Sequence, residues 1–483
     1  MVRDHIRVRI NGVARDVRAE PTTTLLEWLR RERRLTGSKE GCAEGDCGAC
    51  TVVVAKMRRG EVRFRAVNAC ILTMPMLDGA SVTTVEGLDA IEGGALNVVQ
   101  SEMVRRHGSQ CGFCTPGFVM SMFADRIDRV PLAVDDVLAG NLCRCTGYGP
   151  IVAAMDASRE VPLSEAEVQW RERETAAVRA LGGTDDVRLE GERSVGLVAG
   201  SLASALSFLG DGATTVVGGA TDVGLWITKQ HRVLPRMLFV DRVPELHGIE
   251  DGGDVLRIGG AVTYTEAADA LKAMVPAFGD LLVRIGGVQV RNSGTIGGNI
   301  ANGSPIGDMP PCLIALGARV VLASVAGERT LPLDEFFINY GKQARRADEL
   351  LVRVDVPKPK PGSLTRFYKV SKRRDSDITA VLGAFYLTFE EGRVAEARIA
   401  FGGMAGTPAR ALRTEAALAG RRFGRDQAVA AGAELDADFQ PISDHRASAA
   451  YRRTVARNLL LRLAAERDGR SATQVVSMGE LAE

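Results

Sequence analysis

"GCAEGDCGAC", residues 41–50, sets Cys42, Cys47 and Cys50 among Gly41, Gly45 and Gly48. Closed by one later cysteine, Cys70, this is the plant-type ferredoxin spacing, in which four thiolates hold two sulfide-bridged irons. A loop wrapped round such a cluster brings its backbone close and uses unusual dihedrals, which suits glycine, and its N–H groups can bond the sulfurs. A structural zinc site also takes four cysteines, but usually as two C-x2-4-C pairs, so the spacing favours iron and sulfide. The neighbouring sequence supports that reading. HIRVRI-NG-VARDV predicts two alternating strands joined at Asn11-Gly12, and TTTLLEWLRRERRLTG predicts a capped amphipathic helix ending near Gly37. CTVVVAKM and EVRFRAV predict a second hairpin. Hairpin, helix, cluster loop and hairpin together predict a ferredoxin-like β-grasp domain over residues 1–85.

Composition limits what else the chain can be. It has 483 residues, 46% of them hydrophobic, enough for several cores. Sixty-one basic and sixty acidic residues nearly cancel, so the charge balance draws neither nucleic acid nor an anionic membrane. The start, MVRDHIRVRINGV, has no apolar core of a leader, and no uncharged apolar run long enough to span a bilayer follows. The reading is a cytoplasmic protein. Eight of nine cysteines precede residue 146, and in a reducing compartment thiols in such tight spacings are more often metal ligands than disulfides. Cys312, in PPCLIALGA, reads as core.

A second set comprises Cys111 and Cys114 in C-G-F-C and Cys143 and Cys145 in C-R-C. Each half sits just before a helix: Thr115 as N-cap with Pro116 leads into GFVMSMFADRI, and Pro150 leads into IVAAMDA. With LNVVQSEMVRRHG and VDDVLAGNL this predicts a four-helix bundle over 86–160, its cluster at helix N-termini whose positive ends favour an added electron. The spacing by itself leaves zinc and iron–sulfur level.

Residues 161–194 are charged, weakly periodic and interrupted by glycines, which predicts a linker. From 195, SLASALSFLGDG reads as a helix, and TTVVGG as a buried strand entering Gly218-Gly219 before the helix ATDVGLWITKQ. Such a turn can cradle phosphate, although a tight turn without ligand is its commoner meaning. It is not G-x-G-x-x-G, so a Rossmann fold is not supported. A second glycine-rich segment, VRNSGTIGGNIANGSPIGD at 290–308, offers many backbone and hydroxyl donors, and two cradles suggest a dinucleotide. FYKVSKRRDSDITAVLGAF, from 367, gives a basic-acidic loop before a strand, for which a solvated turn is the plain account.

"SQCGFCTPGFVMS" and "GNLCRCTGYGPI" resemble the second cluster domain, and "GCAEGDCGACTVVV" the first, of molybdenum hydroxylases of the xanthine dehydrogenase and aldehyde oxidase family. The resemblance covers nearly the whole chain outside the linker. It implies a multidomain α+β fold: the β-grasp 2Fe-2S domain, the four-helix 2Fe-2S domain, a vanillyl-alcohol-oxidase-like FAD domain over 195–365 and an α+β C-terminal flavoprotein domain over 366–483. It implies 2Fe-2S ligation by both cysteine sets, a hydrogen bond from Gln110 to the pterin of a molybdenum cofactor, and FAD contacts from Val217, Gly218, Gly219, Ala220, Thr221, Asp222, Val223 and Gly224. Thr295, Ile296, Gly297, Gly298 and Asn299 are implied as the second cradle, with Ile285, Asp308, Leu351 and Lys369 completing the site. The basic-acidic loop lies beside the flavin in the family and influences whether NAD+ or oxygen accepts electrons.

Functionally the resemblance implies a relay. Electrons pass from a molybdenum cofactor on a large partner subunit to the 111/114/143/145 cluster, then the 42/47/50/70 cluster, FAD and NAD+, in a heterotetramer with two of each chain. Clusters and flavin on one chain favour the small subunit of the bacterial two-subunit, purine-oxidising type, taking hypoxanthine through xanthine to urate. The equivalent subunit of an aldehyde or N-heterocycle hydroxylase is the alternative. A colourless, zinc-stabilised interaction module is the alternative of another class.

Overall fold

The computed structural model describes residues 2–129, 131–210 and 214–470. They fall into two compact units, one of residues up to 247 with 286–294, the other of 248–285 with 295–470.

The first unit opens with a five-stranded sheet in the order Val13–Val17, Ile6–Ile10, Ser81–Thr83, Thr51–Arg58, Glu61–Asn68. Asn11 and Gly12 both take positive φ, 45° and 81°, the two-residue hairpin turn whose twist matches the strands. The interior strand Thr51–Arg58 starts TVVVA without alternation because both of its faces are buried there. Val52 and Val54 share a core with Leu25, Leu26 and Leu29 of the helix Leu25–Arg31, whose N-cap Thr24 accepts from the Glu27 N–H. Val53, Ala55, Phe64 and Ala66 instead share a core with Phe118, Met122 and Phe123 of the helix Thr115–Ile127. That helix, with Val98–Arg105, Val134–Leu138 and Gly149–Glu160, forms the helical domain.

The stretch predicted to be a linker is ordered differently. It carries a 17-residue helix, Glu165–Leu181, opened by a capping box between Ser164 and Glu167. Its inward face is Glu167, Trp170, Glu174 and Val178, so half of the residues that should reveal the helical period are carboxylates. Each is satisfied. Glu167, fully buried, takes Arg126 at 2.7 Å and Asn97 at 2.8 Å, and Glu174 takes Arg9 at 3.0 Å and Ser81 at 2.6 Å. Trp170 lies between Phe64 and Phe123, with ring centroids 5.4 and 5.3 Å away. Beyond it, Val187–Glu190, Val195–Val198, Arg236–Phe239 and Thr215–Val217 form a four-stranded sheet in that order, the last three parallel.

In the second unit, Ile249–Asp251, Val255–Gly259, Leu350–Pro357, Arg319–Ser324 and Gly327–Pro332 form an antiparallel sheet in that order. A second antiparallel sheet runs Leu364–Val370, Val381–Glu390, Arg393–Gly402, Ala409–Arg410, and its core includes Leu459, Leu460 and Leu463 of the helix Ala449–Arg467. Cys312 is fully buried, and burial pushes its thiol well above the usual range. The residues predicted as one FAD domain, 195–365, are divided between the two units. Among the described residues no helix is long and apolar enough to cross a membrane.

Candidate functional site

The loop 41–50 folds back on itself because its backbone leaves the ordinary regions: Ala43, Gly45 and Gly48 have φ of 54°, 84° and 67°. A side chain on Gly48 would strike the Gly140 carbonyl at 2.3 Å, and one on Gly41 would reach Cys47 Sγ at 2.9 Å. The turn aims two amides, those of Glu44 and Cys47, at Cys42 Sγ, at 3.4 and 3.3 Å. The thiols of Cys47 and Cys70 also contact that sulfur, and these donors hold Cys42 well below the usual thiol range. Cys47 and Cys70 are pushed up by the same contacts, and Cys70 meets Cys50 as well.

The second set assembles in the same way. Cys145 contacts Cys111, and Cys114 contacts Cys143. Burial and the neighbouring Cys143 push Cys114 up to about 12. Burial would also raise Cys143, but the Thr146 hydroxyl, 3.1 Å from its sulfur, and nearby N–H groups outweigh it and lower the thiol. Cys111 and Cys145 are exposed, as is Gln110. The helix Thr115–Ile127 begins directly at the cysteine, so Cys114 rather than the predicted Thr115 occupies the N-cap position. Thr115 turns its hydroxyl to Ser109, at 2.7 Å. The helix Gly149–Glu160 starts a few residues after Cys145, at a Tyr148 cap with φ of 69°, whose hydroxyl bonds the Cys143 N–H at 3.0 Å.

Among the described residues no three His, Cys, Asp or Glu side chains are arranged to hold a metal ion as they stand. In the first set Cys42 meets both Cys47 and Cys70, and Cys70 meets Cys50 as well, whereas in the second Cys111 meets Cys145 and Cys114 meets Cys143. Four thiols gathered in each set fit the four-cysteine donor set of a 2Fe-2S centre. The two loops are in register: the Leu142 N–H, beside Cys143, donates to the Cys47 carbonyl at 3.0 Å.

The strand-turn-helix of 217–224 lies against the first set. Val217 ends the strand Thr215–Val217, Ala220 takes φ of 59°, and Asp222 heads the helix Val223–Thr228. The Gly224 Cα faces Ile71, next to Cys70, so closely that a Cβ would meet Ile71 Cβ at 2.6 Å. Thr228, not foreseen from the sequence, donates its hydroxyl to the Ala43 carbonyl at 2.6 Å, next to Cys42. At Gly219 a Cβ would lie 1.7 Å from the Ser293 carbonyl oxygen, so the backbone itself would have to move. Gly219→Ala is therefore expected to shift this turn at a cost of about 1–3 kcal/mol and to purify with most of its flavin missing. Retention of stoichiometric flavin, read by absorbance after acid release, would count against the turn as a contact.

In the second unit, Thr295 caps the helix Ile296–Asn302 by accepting from the Gly298 N–H at 2.9 Å. Gly297 packs on Gly260, whose carbonyl would lie 2.5 Å from a Cβ. Asn299 presents a buried Oδ1 with no hydrogen-bond partner among the described residues, an acceptor that suits a bound nucleotide's donors. Asp308 takes Lys369 at 2.7 Å and the Thr379 hydroxyl, and Lys369 also donates to the Arg284 carbonyl at 2.9 Å. Thr379 and the Arg284 carbonyl carried no sequence signal. Ile285 and Leu351 belong to the hydrophobic core.

Comparison with known proteins adds family context. Four family models match in succession: a 2Fe-2S iron-sulfur cluster binding domain over 8–74, a 2Fe-2S binding domain over 84–156, the FAD binding domain in molybdopterin dehydrogenase over 194–359, and the CO dehydrogenase flavoprotein C-terminal domain over 366–467. The chain is 33% identical to a xanthine dehydrogenase of Drosophila pseudoobscura pseudoobscura over 83% of this chain and 34% of the relative. It is 31% identical to a xanthine dehydrogenase/oxidase of Gallus gallus over 86% of this chain and 36% of the relative. It thus spans about a third of the length of these relatives. Among solved structures, a carbon monoxide dehydrogenase from Hydrogenophaga pseudoflava resembles 55% of this chain and 95% of its own, with TM-score 0.53 and 29% identity.

Proposed function

From a chain that carries the two 2Fe-2S domains and the flavin domains of the molybdenum hydroxylase family, we infer the small, electron-transfer subunit of a cytoplasmic, NAD-dependent xanthine dehydrogenase of the bacterial two-subunit type. Cys42, Cys47, Cys50 and Cys70 hold one centre, and Cys111, Cys114, Cys143 and Cys145 the other. FAD is held by the two glycine-rich segments together with Asp308 and Lys369, while Gln110 meets the pterin on a large partner subunit in a heterotetramer. When bound, these groups supply two one-electron carriers and a flavin that can release a pair of electrons to NAD+, so that purine oxidation at the partner's molybdenum is relayed through this chain.

The chain's own residues supply ligands, hydrogen bonds and adjacency. Thiolates and the amides of Glu44 and Cys47 stabilise charge at the first centre, and the Leu142 and Thr228 hydrogen bonds keep the second set, the first set and the 217–224 segment adjacent in that order. That succession is the single observation carrying the reading. Its purine specificity is supported by the xanthine dehydrogenase relatives.

The test is the purified complex with its co-isolated partner. We expect about two irons and two acid-labile sulfides per cysteine set, one FAD per chain, and NAD+ reduction by xanthine but not by an aldehyde or an N-heterocycle outside the purines. Zinc without colour would remove the relay. A coloured complex inert to xanthine would leave the relay and remove the substrate.

A further inference from the structure

Between the two cysteine sets lies a buried polar cluster centred on Gln289, which is 1% exposed. Its amide nitrogen is 2.9 Å from Asn141 Oδ1, 3.0 Å from Ser121 Oγ and 3.2 Å from Thr51 Oγ1. Counting donors assigns the protons. Ser121 gives its hydroxyl proton to Asn141 Oδ1 at 2.7 Å, and Thr51 gives its own to the Gly48 carbonyl at 2.6 Å, so both hydroxyls face Gln289 as acceptors. Asn141 directs its amide to the Gly48 carbonyl at 3.1 Å and to Thr51 at 3.4 Å. Gln289 is the further donor to these oxygens, and among the described residues its own Oε1 has no hydrogen-bond partner. That oxygen occupies the place of a missing side chain: a Cβ on Gly140 would lie 1.9 Å from it.

Every partner of Gln289 belongs to a cysteine-bearing segment. Gly48 and Thr51 flank Cys50, Asn141 is two residues before Cys143, and Ser121 is on the helix that Cys114 heads. We propose that Gln289 is a positioning residue for electron exchange between the two centres, its amide clamping the Cys47–Cys50 loop to the Cys143 loop so that the Leu142 N–H stays on the Cys47 carbonyl. The proposal rests on the reading of both sets as 2Fe-2S ligands. Without the amide, whose two protons are shared among three buried oxygens, Ser121 Oγ loses its donor while Asn141 Oδ1 keeps only Ser121 and Thr51 Oγ1 only the long bond from Asn141, which loosens the link between the loops.

A merely structural residue would alter stability and leave the magnetic interaction of the two reduced centres as it was. Paramagnetic resonance of the dithionite-reduced holoprotein therefore decides. The wild-type protein is expected to show two reduced-centre signals split by their mutual coupling. In Gln289→Leu both signals and the full iron content persist, the splitting is lost, and exchange between the centres slows about tenfold or more. Should Gln289→Leu fail to load iron, Ser121→Ala, a small change that removes one acceptor of the same amide, is expected to narrow the splitting at full loading. Unchanged splitting in a fully loaded variant overturns the proposal and leaves the cofactor reading intact. A wild-type protein without either signal overturns both.

Discussion

Cys143→Ser is expected to abolish xanthine-driven NAD+ reduction by the assembled enzyme while NADH still reduces the flavin. Cys143 is buried, its thiol is lowered by the Thr146 hydroxyl and surrounding amides, and its neighbour Leu142 makes the backbone bond to Cys47. A serine alkoxide is far harder to form than a thiolate, so the second centre loses a ligand on the side that faces the first. Loss of an outer-shell partner of a metal site already costs about 10–100-fold, and loss of a ligand should cost at least the upper end of that range. Stopped-flow absorbance separates the two half-reactions. The purine half stalls, whereas flavin reduction by NADH runs at its usual rate because the 217–224 segment lies against the other cysteine set. Normal purine turnover in a variant whose 111/114/143/145 signal is gone would refute the assigned order.

Glu167→Ala should produce the largest loss of stability. The Arg126–Glu167 pair has side chains 5% and 0% exposed, and Arg126 is further fixed by the carbonyls of Ser158, Val161 and Pro162. Removing one partner of such a pair leaves an uncompensated buried charge, at about 3–5 kcal/mol. In the denaturation of a unit of this size that corresponds to a midpoint lower by roughly 10 °C. The effect depends on pH with a definite sign. Burial would raise the Glu167 carboxyl, but Arg126, the Ser164 N–H and Asn97 outweigh it and hold it below the usual range. A depressed carboxylate stabilises the fold fully above its unfolded pKa of about 4.3 and loses that stabilisation as pH falls through the lower folded value. Parent and variant should therefore converge in acid. A difference under about 1 kcal/mol at neutral pH would mean that water reaches the pair.

How much of this could be read beforehand depended on whether the signal was local. The turn at Asn11-Gly12 and the glycines of the 41–50 loop are dictated by backbone conformation within a few residues, and the structure has them where the sequence placed them, whereas the helix read to end near Gly37 stops at Arg31. The helix Glu165–Leu181 was missed because its buried face is half acidic, and its glutamates make sense only once Arg126 and Arg9 come from elsewhere. Gln289 had no signal at all. Its three acceptors lie 238, 168 and 148 residues away along the chain, and nothing in VQVRNSGTIGG marks its glutamine as buried.

The sequence by itself determined the chemistry of the donors. Eight thiols in two spaced sets, two glycine-rich segments and the order of the domains follow from residue types and short-range spacing, which survive in the unfolded chain. Only the tertiary structure decided which sulfurs meet, that Leu142 reaches Cys47, that Thr228 reaches Ala43, and that an amide from residue 289 holds two loops together. Those contacts join residues far apart in sequence, and they form only when burial of the cores brings the loops close enough for hydrogen bonds shorter than about 3.2 Å.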